Sequence, residues 1–485
     1  GSLAARAPCA SLAVVAAAAA LLSLVARADL APARTSLPPL ARATAPPEGA
    51  TSVLLVTLDA TRRDALGCYG QERATTPSLD ALAAAGVVFE DATAEAPHTH
   101  PSIATVLTSR WPLEHGSISG SPRLSARVQT LAEHARTHGY RTAGFLDNPW
   151  LGPDFGIARG YEHLDQRPDL DRIARWMKSV DGEPFLLHVH YFHPHGPYEL
   201  RADELEAIGG TTATAEARES VSAYVPAPVI RAGEVPGRHP FDDDELAWVR
   251  DLYLSEVRAM DADVGALVAL VDERVGLDRT VVVVAADHGE EFDERRSLHH
   301  SHTLFQELVG VPLIVRPPGG GGSGARVDDP VGLVDVAPTI LELAGLPPLP
   351  DAAGRSLVPL LRGESLDAPA VIVTQRYAHA GERRLAAIRE GRWKLHLRAG
   401  PLGPLVPDGR PLADDVALFD LAADPGERTD RSGDEAATVD RLLKALGRWE
   451  RGALERIGGD APSARTDESL TPAQRARLRQ LGYGG

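Results

Sequence analysis

The run Ser52-Val-Leu-Leu-Val-Thr-Leu58, which leads directly into Asp59, decides the fold class of this chain. A continuous apolar run of this length is typical of a parallel strand that is covered on both faces. Helix-like segments alternate with further runs of this kind, which predicts an α/β fold with a largely parallel central sheet and helices on both faces. The other predicted strands are residues 142–146, 185–191, 280–286 and 312–315, and the predicted helices are residues 76–86, 125–138 and 243–275.

The pattern of predicted secondary structure changes after about residue 365. Short alternating runs are followed by one long helical stretch at 436–457, which predicts a smaller C-terminal α+β subdomain. Its predicted strands are residues 370–374, 384–389, 393–397 and 417–421.

Loop and linker compositions divide the rest of the chain. Residues 205–241 are polar with several prolines, and residues 319–324 are almost all glycine, so both are predicted surface loops. The predicted organisation is a leader at 1–28, a linker at 29–51, a catalytic domain at 52–365, the C-terminal subdomain at 366–462 and a tail at 463–485.

Composition and charge narrow the function classes. The chain of 485 residues is 44% hydrophobic and 24% charged, as expected for a globular enzyme with a large core. Its formal net charge of −17 argues against nonspecific nucleic-acid binding, which needs a basic surface. We therefore expect no nucleic-acid partner. An anionic substrate stays open, because a metal ion reverses the sign of the local field.

The N-terminus has the features of a targeting segment. Arg6 precedes an apolar run at 10–25, and Ala26-Arg27-Ala28 has the small-x-small pattern of a cleavage site, which indicates a secretory signal peptide. The alternative is a retained anchor helix in the membrane, since the run is close to the length of a span. Both predict an exported protein that is periplasmic, extracellular or membrane-anchored.

Three predicted strands end on side chains that bind metals. Asp59 follows the first strand, His193 and His195 follow the third, and Asp287 and His288 follow the fourth. Ligand sites of open α/β sheets form at the carboxyl ends of the strands, and carboxylate and imidazole donors are typical of divalent metal sites. A single Asp in such a place is more often a helix cap. The prediction of a metal site therefore depends on the three positions coming together.

A threonine lies where a helix is predicted to begin. In the segment Ala96-Pro97-His98-Thr99-His100-Pro101-Ser102, Pro101 suits the first turn of a helix, which puts Thr99 just before the helix N-terminus. Backbone N–H groups there favour anions, so the position suits a hydroxyl that attacks phosphorus or sulfur. The alternative is that Thr99 or Ser102 only caps the helix.

These segments, in this order, resemble the sulfatase family of the alkaline phosphatase superfamily. The segment His193-Pro-His195-Gly-Pro-Tyr198 is similar to the family's Asp-Pro-His-x-Pro-Tyr, and Ala286-Asp287-His288-Gly289-Glu290 is similar to its metal-binding Asp-His/Asn-Gly. The other resembling segments are residues 53–70, 75–80, 96–116, 300–305, 311–312 and 418–427.

The resemblance implies a metal site and a nucleophile. Metal ligation is implied for Asp59, Asp287 and His288, with Thr99 at the nucleophile position and also close enough to touch the metal. One divalent ion is implied, and the ligand types leave Ca²⁺, Mg²⁺, Mn²⁺ and Zn²⁺ open.

Further roles follow for histidines and one arginine. The resemblance implies that His195, with His302 or His300, contacts the transferring group or protonates the leaving oxygen, and that Arg62 supports the site. Two other histidines alternate along a predicted strand, and we interpret them as packed side chains. They are His188 and His190.

The chain also departs from the family pattern. Typical sulfatases have Cys or Ser where Thr99 stands and convert it to formylglycine, for which threonine is not a known precursor, so we expect no formylglycine here. Ile103 replaces the Arg of the same motif, and Ala60 replaces the second acid of the opening signature. The Lys-x-His element is not recognisable at 140–147.

The predicted function is a metal-dependent hydrolase of sulfuric or phosphoric esters. Its substrate would be a small-molecule, glycan or lipid-headgroup ester. One alternative is a phosphoryl or phosphoglycerol-type transferase or phosphodiesterase with a threonine nucleophile, because a threonine ester cannot expel sulfate as an aldehyde hydrate does. The other is a catalytically degenerate member that binds anions.

Overall fold

The computed structural model describes residues 44–118, 123–210, 241–295, 297–321, 324–367, 370–376, 384–400, 405 and 415–457. The predicted leader, the linker up to residue 43, most of the 205–241 loop and the C-terminal tail lie outside the described residues. Within the described part, the helices are too short or too polar to cross a bilayer. The domain boundaries given above stay predictions.

A sheet of nine strands forms the centre of the larger part of the fold. Its strand order is β10-β2-β9-β6-β1-β5-β3-β4, with β11 also paired to β2. The strands are β1 (Ser52–Leu58), β2 (Val87–Thr93), β3 (Arg141–Leu146), β4 (His163–Asp165), β5 (Phe185–Tyr191), β6 (Thr280–Ala286), β7 (Glu291–Phe292), β8 (Leu298–His299), β9 (Gly310–Arg316), β10 (Ala325–Val327), β11 (Val331–Gly332), β12 (Val371–Arg376), β13 (Arg384–Glu390), β14 (Trp393–Ala399) and β15 (Val416–Asp420).

The large sheet is mostly parallel, as predicted. Strand β1 lies between β5 and β6 and runs parallel to both, and every residue of β1 is buried. The predicted strand at 312–315 is the middle of β9, which runs antiparallel to β2 and β6. Strand β2 was not predicted, because Glu90 and Asp91 interrupt its apolar residues. The register of β2 against β9 shifts between Phe89 and Ala92, at those two acids.

Helices lie around the sheet and connect its strands. The predicted helix at 125–138 begins later than expected, at Leu131, because Thr130 caps it and Glu133 completes a capping box. The helices are α1 (Pro77–Ala84), α2 (Thr99–Thr108), α3 (Pro112–His115), α4 (Leu131–Thr137), α5 (Leu170–Ser179), α6 (Ala202–Ala207), α7 (Asp243–Arg274), α8 (Gln306–Val309), α9 (Val336–Leu343), α10 (Val358–Leu361) and α11 (Ala436–Arg456).

A second, antiparallel sheet forms the C-terminal part, in the order β12-β13-β14-β15. It has its own apolar cluster, in which Leu442 and Leu446 of α11 join Ile388 of β13 and Leu395 of β14. The predicted α/β fold with a smaller C-terminal α+β subdomain is therefore confirmed.

Candidate active site

The carboxyl ends of β1 and β6 bring the predicted metal ligands together. Leu58 is paired with Ala286 on β6, so the residues that follow, Asp59 and Asp287, lie side by side. Single ligand atoms of Asp59, Asp287 and His288 all lie within 4.8 Å of one another, and the three side chains are buried. These residues come from two of the three predicted strand ends, those of β1 and β6, and His193 and His195 are not part of the group. Binding of a metal by these side chains stays a prediction.

Among the described residues, no lysine or arginine hydrogen-bonds to the neighbouring carboxylates of Asp59 and Asp287. Asp287 Oδ1 accepts hydrogen bonds from the backbone N–H groups of His288 (2.8 Å) and Ala60 (3.1 Å). Its Oδ2 is buried and has no hydrogen-bond partner in the part of the chain that the structure describes. Burial, and next the charge of Asp59, raise the pKa of Asp287 well above its ordinary value. A buried carboxylate oxygen without a partner beside a second carboxylate is what a divalent cation satisfies, so these residues fit a metal ion.

His288 offers a ring nitrogen to the same place. Its Nδ1 lies 2.8 Å from the carbonyl of Gly289 and donates to it, so the lone pair is on Nε2. That Nε2 lies 3.5 Å from Asp59 Oδ1 and 3.7 Å from Asp287 Oδ2. Burial lowers the pKa of His288 to about 4, against which Asp59 acts, so the ring is neutral near pH 7. A neutral imidazole oriented by a backbone carbonyl is a typical metal ligand.

Thr99 lies against Asp59, Asp287 and His288, the three predicted metal ligands, which we call the metal group. It is the first residue of α2, whereas the sequence placed it just before the helix. Thr99 Oγ1 is 3.4 Å from Asp59 Oδ1 and 3.3 Å from His288 Nε2. The hydroxyl does not cap the helix, and Ser102, the other candidate cap, donates to the carbonyl of Asp287 at 2.6 Å. The helix is therefore fastened to the strand end that carries the metal group.

Two residues beside Asp59 were missed or misread in the sequence. Asn148 Nδ2 donates to Asp59 Oδ2 at 2.7 Å, and His190 Nε2 lies 3.2 Å from the same oxygen. His190, interpreted as only a packed side chain, is fully buried and also contacts the metal group. Asn148 follows the end of β3, so the strand-end rule that found Asp59 could have found it.

Asp59 is the more strongly charged carboxylate of the pair. Burial alone would raise its pKa, but the charge of His195, then the hydrogen bond from His190, hold it below the ordinary value. The direction is opposite to that of Asp287. A bound cation would stabilise both a charged Asp59 and the ionised form of Asp287 beside it.

Two of the predicted catalytic histidines line the group. The ring of His300 lies 4.2 Å from that of His288 and 4.8 Å from that of His195, centroid to centroid. His195 Nδ1 is 2.6 Å from the carbonyl of Gly196, and His300 Nδ1 is 3.2 Å from Glu290 Oε1. Burial lowers the pKa of His300 well below its ordinary value. The wall beside the metal group therefore consists of imidazoles.

The other two predicted residues bond elsewhere. His302 Nε2 lies 2.6 Å from Glu291 Oε2, and its Nδ1 lies 2.9 Å from the carbonyl of His300. The guanidinium of Arg62 bonds to Asp64 at 2.7 Å and to Glu294 at 2.8 Å. Both side chains thus support neighbouring loops in this structure, and their catalytic roles stay predictions.

A small cavity of about 10 Å³ lies next to the Thr99 segment. His98 and Pro101 line it from one side, and Ser301 lines it from the His300 loop. Gln375 and Arg376 of β12 line it from the C-terminal subdomain. The subdomain therefore contributes directly to the surroundings of the site.

Known proteins with this sequence pattern are sulfatases and related hydrolases. The family model described as sulfatase matches residues 51–346, and the model of the C-terminal part of N-sulphoglucosamine sulphohydrolase matches residues 294–448. A choline-sulfatase of Rhizobium meliloti (strain 1021) is 24% identical over 441 residues, which cover 78% of this chain and 81% of that protein.

Solved structures show the same fold. The phosphonate monoester hydrolase of Agrobacterium radiobacter has a TM-score of 0.66 at 22% identity, with 82% of this chain and 96% of that chain covered. A protein solved in complex with its substrate D-glucosamine-2-N,6-O-disulfate has a TM-score of 0.68 at 19% identity, with 85% and 99% covered. Because the sulfatase model spans more than half of the chain and includes every strand end of the metal group, this chain belongs to the sulfatase family of ester hydrolases.

Proposed function

We propose that this protein is a metal-dependent hydrolase of singly charged sulfate, phosphate or phosphonate esters that uses Thr99 as its nucleophile. The observation that carries the proposal is the position of Thr99 Oγ1, 3.4 Å from Asp59 and 3.3 Å from His288. Both neighbours belong to the buried group that fits a metal ion. A metal ion beside this hydroxyl would activate it as a nucleophile, which is what transfer of a sulfuryl or phosphoryl group to an enzyme oxygen requires.

Asp59, Asp287 and His288 would hold the ion. Bound there, a divalent ion supplies a positive charge that polarises the ester and lowers the pKa of the attacking hydroxyl. The unpartnered Oδ2 of Asp287 and the Nε2 lone pair of His288 are the donors that support this assignment. The donor set does not choose between Ca²⁺, Mg²⁺, Mn²⁺ and Zn²⁺.

The reaction proceeds in two steps on Thr99. Its oxygen attacks the phosphorus or sulfur, its proton passes to a neighbouring imidazole, and the bond to the leaving alkoxide breaks. The alkoxide takes a proton from His195, which we assign as the general acid and which regains a proton from the imidazole that received it from Thr99. Water then attacks the same centre, gives its proton to the departing Thr99 oxygen, and the acid is released. Phosphorus accepts a second attack of this kind readily, so phosphorus esters suit a threonine better than sulfate esters do.

Charge supports a singly charged substrate. Two carboxylates and one divalent ion cancel, and burial keeps His288 and His300 neutral near pH 7. The charge of His195 that lowers the pKa of Asp59 is left for one negative charge of the substrate. Among the described residues, no lysine or arginine hydrogen-bonds to Asp59, Thr99, Asp287 or His288. A second negative charge on the transferring group would therefore lack a partner in a buried site, which is costly. Sulfate monoesters, phosphodiesters and phosphonate monoesters all carry one charge.

The test measures turnover of four nitrophenyl esters, each in the presence of each of the four ions. The esters are the sulfate, the phosphate monoester, the bis-phosphodiester and the phenyl phosphonate. We expect turnover of singly charged esters to exceed that of the phosphate monoester. Thr99→Ala should lower kcat by at least about a thousandfold, and Thr99→Ser should retain activity. Equal activity of wild type and Thr99→Ala would remove the nucleophile, and preference for the phosphate monoester would overturn the charge argument.

A further inference from the structure

A continuous set of hydrogen bonds runs through the buried sheet to Asp59. The hydroxyl of Tyr161 lies 2.7 Å from His188 Nδ1, and His188 Nε2 lies 2.8 Å from Thr57 Oγ1. Thr57 Oγ1 lies 2.8 Å from His190 Nδ1, and His190 Nε2 lies 3.2 Å from Asp59 Oδ2. We name these side chains the Asp59 hydrogen-bond chain: Tyr161, His188, Thr57 and His190.

Register explains how the chain is assembled. Thr57, two residues before Asp59 on β1, is paired with His190 of β5, and His188 lies two residues earlier on the same face of β5. Tyr161 reaches His188 from the segment before β4, and its ring lies against Gly144 of β3. A Cβ at 144 would come within 3.0 Å of that ring. All these side chains are buried.

The bonds have one consistent direction. As a metal ligand the ionised carboxylate of Asp59 only accepts, so His190 donates to it from Nε2 and accepts from Thr57 at Nδ1. Thr57 in turn accepts from His188 Nε2, and His188 Nδ1 accepts from the Tyr161 hydroxyl. The Thr57 hydroxyl therefore donates its proton to His190 Nδ1. The last donor in the row, His190 Nε2–H, therefore points at Asp59 Oδ2.

The chain and Asn148 together divide the carboxylate of Asp59 into two unlike oxygens. Oδ2 receives two donors, from His190 and from Asn148 at 2.7 Å. Oδ1 is left facing His288 Nε2 and Thr99 Oγ1. Donors that point one way polarise one another and hold the acceptor in place. Apolar residues would fill these strand positions at lower cost than buried polar ones, so the polar row calls for a function.

We propose that the Asp59 hydrogen-bond chain positions Asp59 to present Oδ1 to the metal ion, and that it increases the affinity of the site for the ion. Its members are positioning residues, since only the last one touches the metal group. The inference rests on the proposed function insofar as that function places a divalent ion at Asp59. Partners that orient metal ligands are typically worth about 10- to 100-fold in affinity.

The test measures the dissociation constant for Mn²⁺ by calorimetry on the metal-free full chain. Thr57→Val interrupts the row with little change in shape and should weaken Mn²⁺ binding by about 10- to 100-fold, whereas Thr57→Ser should restore it. Tyr161→Phe removes only the first donor, far from the ion, and should give a smaller loss in affinity. The matched control is Tyr140→Phe, because the Tyr140 hydroxyl is also buried but bonds to the carbonyls of Thr51 and Ala344.

Each outcome decides between the claims. Weaker Mn²⁺ binding in Thr57→Val and Tyr161→Phe, with binding unchanged in Tyr140→Phe, supports the chain. If wild type binds Mn²⁺ and both chain variants bind it equally well, the chain has no positioning role, although the proposed function stands. If loss of affinity also occurs in Tyr140→Phe, the effect is general destabilisation and the inference fails. A wild type that binds none of the four ions overturns this inference together with the proposed function.

Discussion

Glu95 is a buried acid just ahead of the Thr99 segment, and it has little to compensate its charge. Its Oε1 accepts from the backbone N–H of Val334 at 3.1 Å, while its Oε2 has no hydrogen-bond partner among the described residues. Burial is the largest cause that raises the pKa of Glu95 well above 4.5, and the nearby carboxylate of Asp335 adds to it. The folded protein therefore keeps Glu95 protonated at pH values where the unfolded chain ionises it.

We expect Glu95→Gln to remove a pH-dependent loss of stability. Because the folded pKa is raised, the folded state binds the proton more tightly, so the free energy of unfolding falls as pH rises from 4.5 towards the folded pKa, by up to about 1.4 kcal/mol per pH unit. The variant should match wild type near pH 4.5 and be more stable at pH 8. Urea unfolding at both pH values, with chelator present throughout, measures this. A stability difference that is the same at pH 4.5 and pH 8 would contradict it.

Much of the site could be predicted residue by residue, because its ligands obey a local rule. Asp59 and Asp287 directly follow apolar runs, and the sequence shows where those runs end. His190 did not stand out, since alternation along a strand says which face a side chain takes and not what lies opposite. Its contact with Asp59 depends on the pairing of β5 with β1, which is long-range.

At the scale of elements, helix α2 explains why the family arginine is missing. Ile103 is fully buried and belongs to the main apolar cluster around the sheet. A guanidinium there would have to displace core side chains or remain buried without a partner, which costs several kcal/mol. The site therefore has an apolar side chain at the position where the sulfatase motif that this chain resembles has an arginine.

We expect Ile103→Arg to destabilise the protein without adding activity. The free energy of unfolding should fall by more than about 4 kcal/mol, the range reserved for buried unpaired charge, whereas Ile103→Val should cost only about 0.5–1.5 kcal/mol. Denaturant unfolding of the three proteins gives the comparison. An arginine variant as stable as the valine variant, with faster sulfate-ester turnover, would show instead that position 103 opens onto the substrate.

Elements were predicted best where apolar runs are continuous. The strands at 185–191 and 280–286 were placed to the residue, because both are bounded by polar or turn-forming neighbours. The start of α4 was placed too early, since the capping box of Thr130 and Glu133 outweighed the apolar spacing before it. The antiparallel direction of β9 could not be predicted, because pairing direction is decided by neighbours distant in the chain.

A buried ion pair joins the C-terminal sheet to the segment that follows His300. Lys394 Nζ lies 3.1 Å from Glu427 Oε1 and donates to the carbonyl of Leu304 at 2.7 Å. Glu427 Oε2 accepts from the N–H of Gln306 at 2.7 Å. Burial would raise the pKa of Glu427, but Lys394 and next His396 lower it to about 2. Burial lowers the pKa of Lys394, and the carboxylate of Glu427, with a smaller contribution from that of Glu307, acts against this shift.

We expect Lys394→Met to cost about 3–5 kcal/mol, because it leaves Glu427 charged and buried without its main partner. The double variant Lys394→Met/Glu427→Gln should recover most of that loss, since both charges are gone. Urea unfolding of the two single variants and the double variant gives the coupling energy. If the losses in unfolding free energy of the two single variants simply added in the double variant, the two side chains would act independently. The contact between the C-terminal sheet and the segment after His300 would then depend on apolar packing alone.

At the scale of the whole molecule, the proposed metal site would couple ion binding to folding. Its carboxylates end β1 and β6, two adjacent strands at the centre of the large sheet, and both are buried in the folded chain. An ion that binds only the folded state stabilises it by about 2.7 kcal/mol at a free concentration of 100 times its dissociation constant. Without the ion, the repulsion between Asp59 and Asp287 remains in the core of the molecule.

We therefore expect chelator to lower the melting temperature of wild type, and Asp287→Asn to reverse the pattern. The variant should melt above wild type in chelator, since one of the two facing charges is gone, and should gain nothing from added Mn²⁺. Asp261→Asn is the matched control: its buried carboxylate accepts from the N–H groups of Ser78 and Leu79, so this variant should lose stability in both conditions and still respond to Mn²⁺. Calorimetric melting with and without Mn²⁺ separates these patterns. If Asp287→Asn gained as much from Mn²⁺ as wild type does, the ion would have to bind elsewhere, and the link between the sheet's two central strand ends and the stability of the fold would fail.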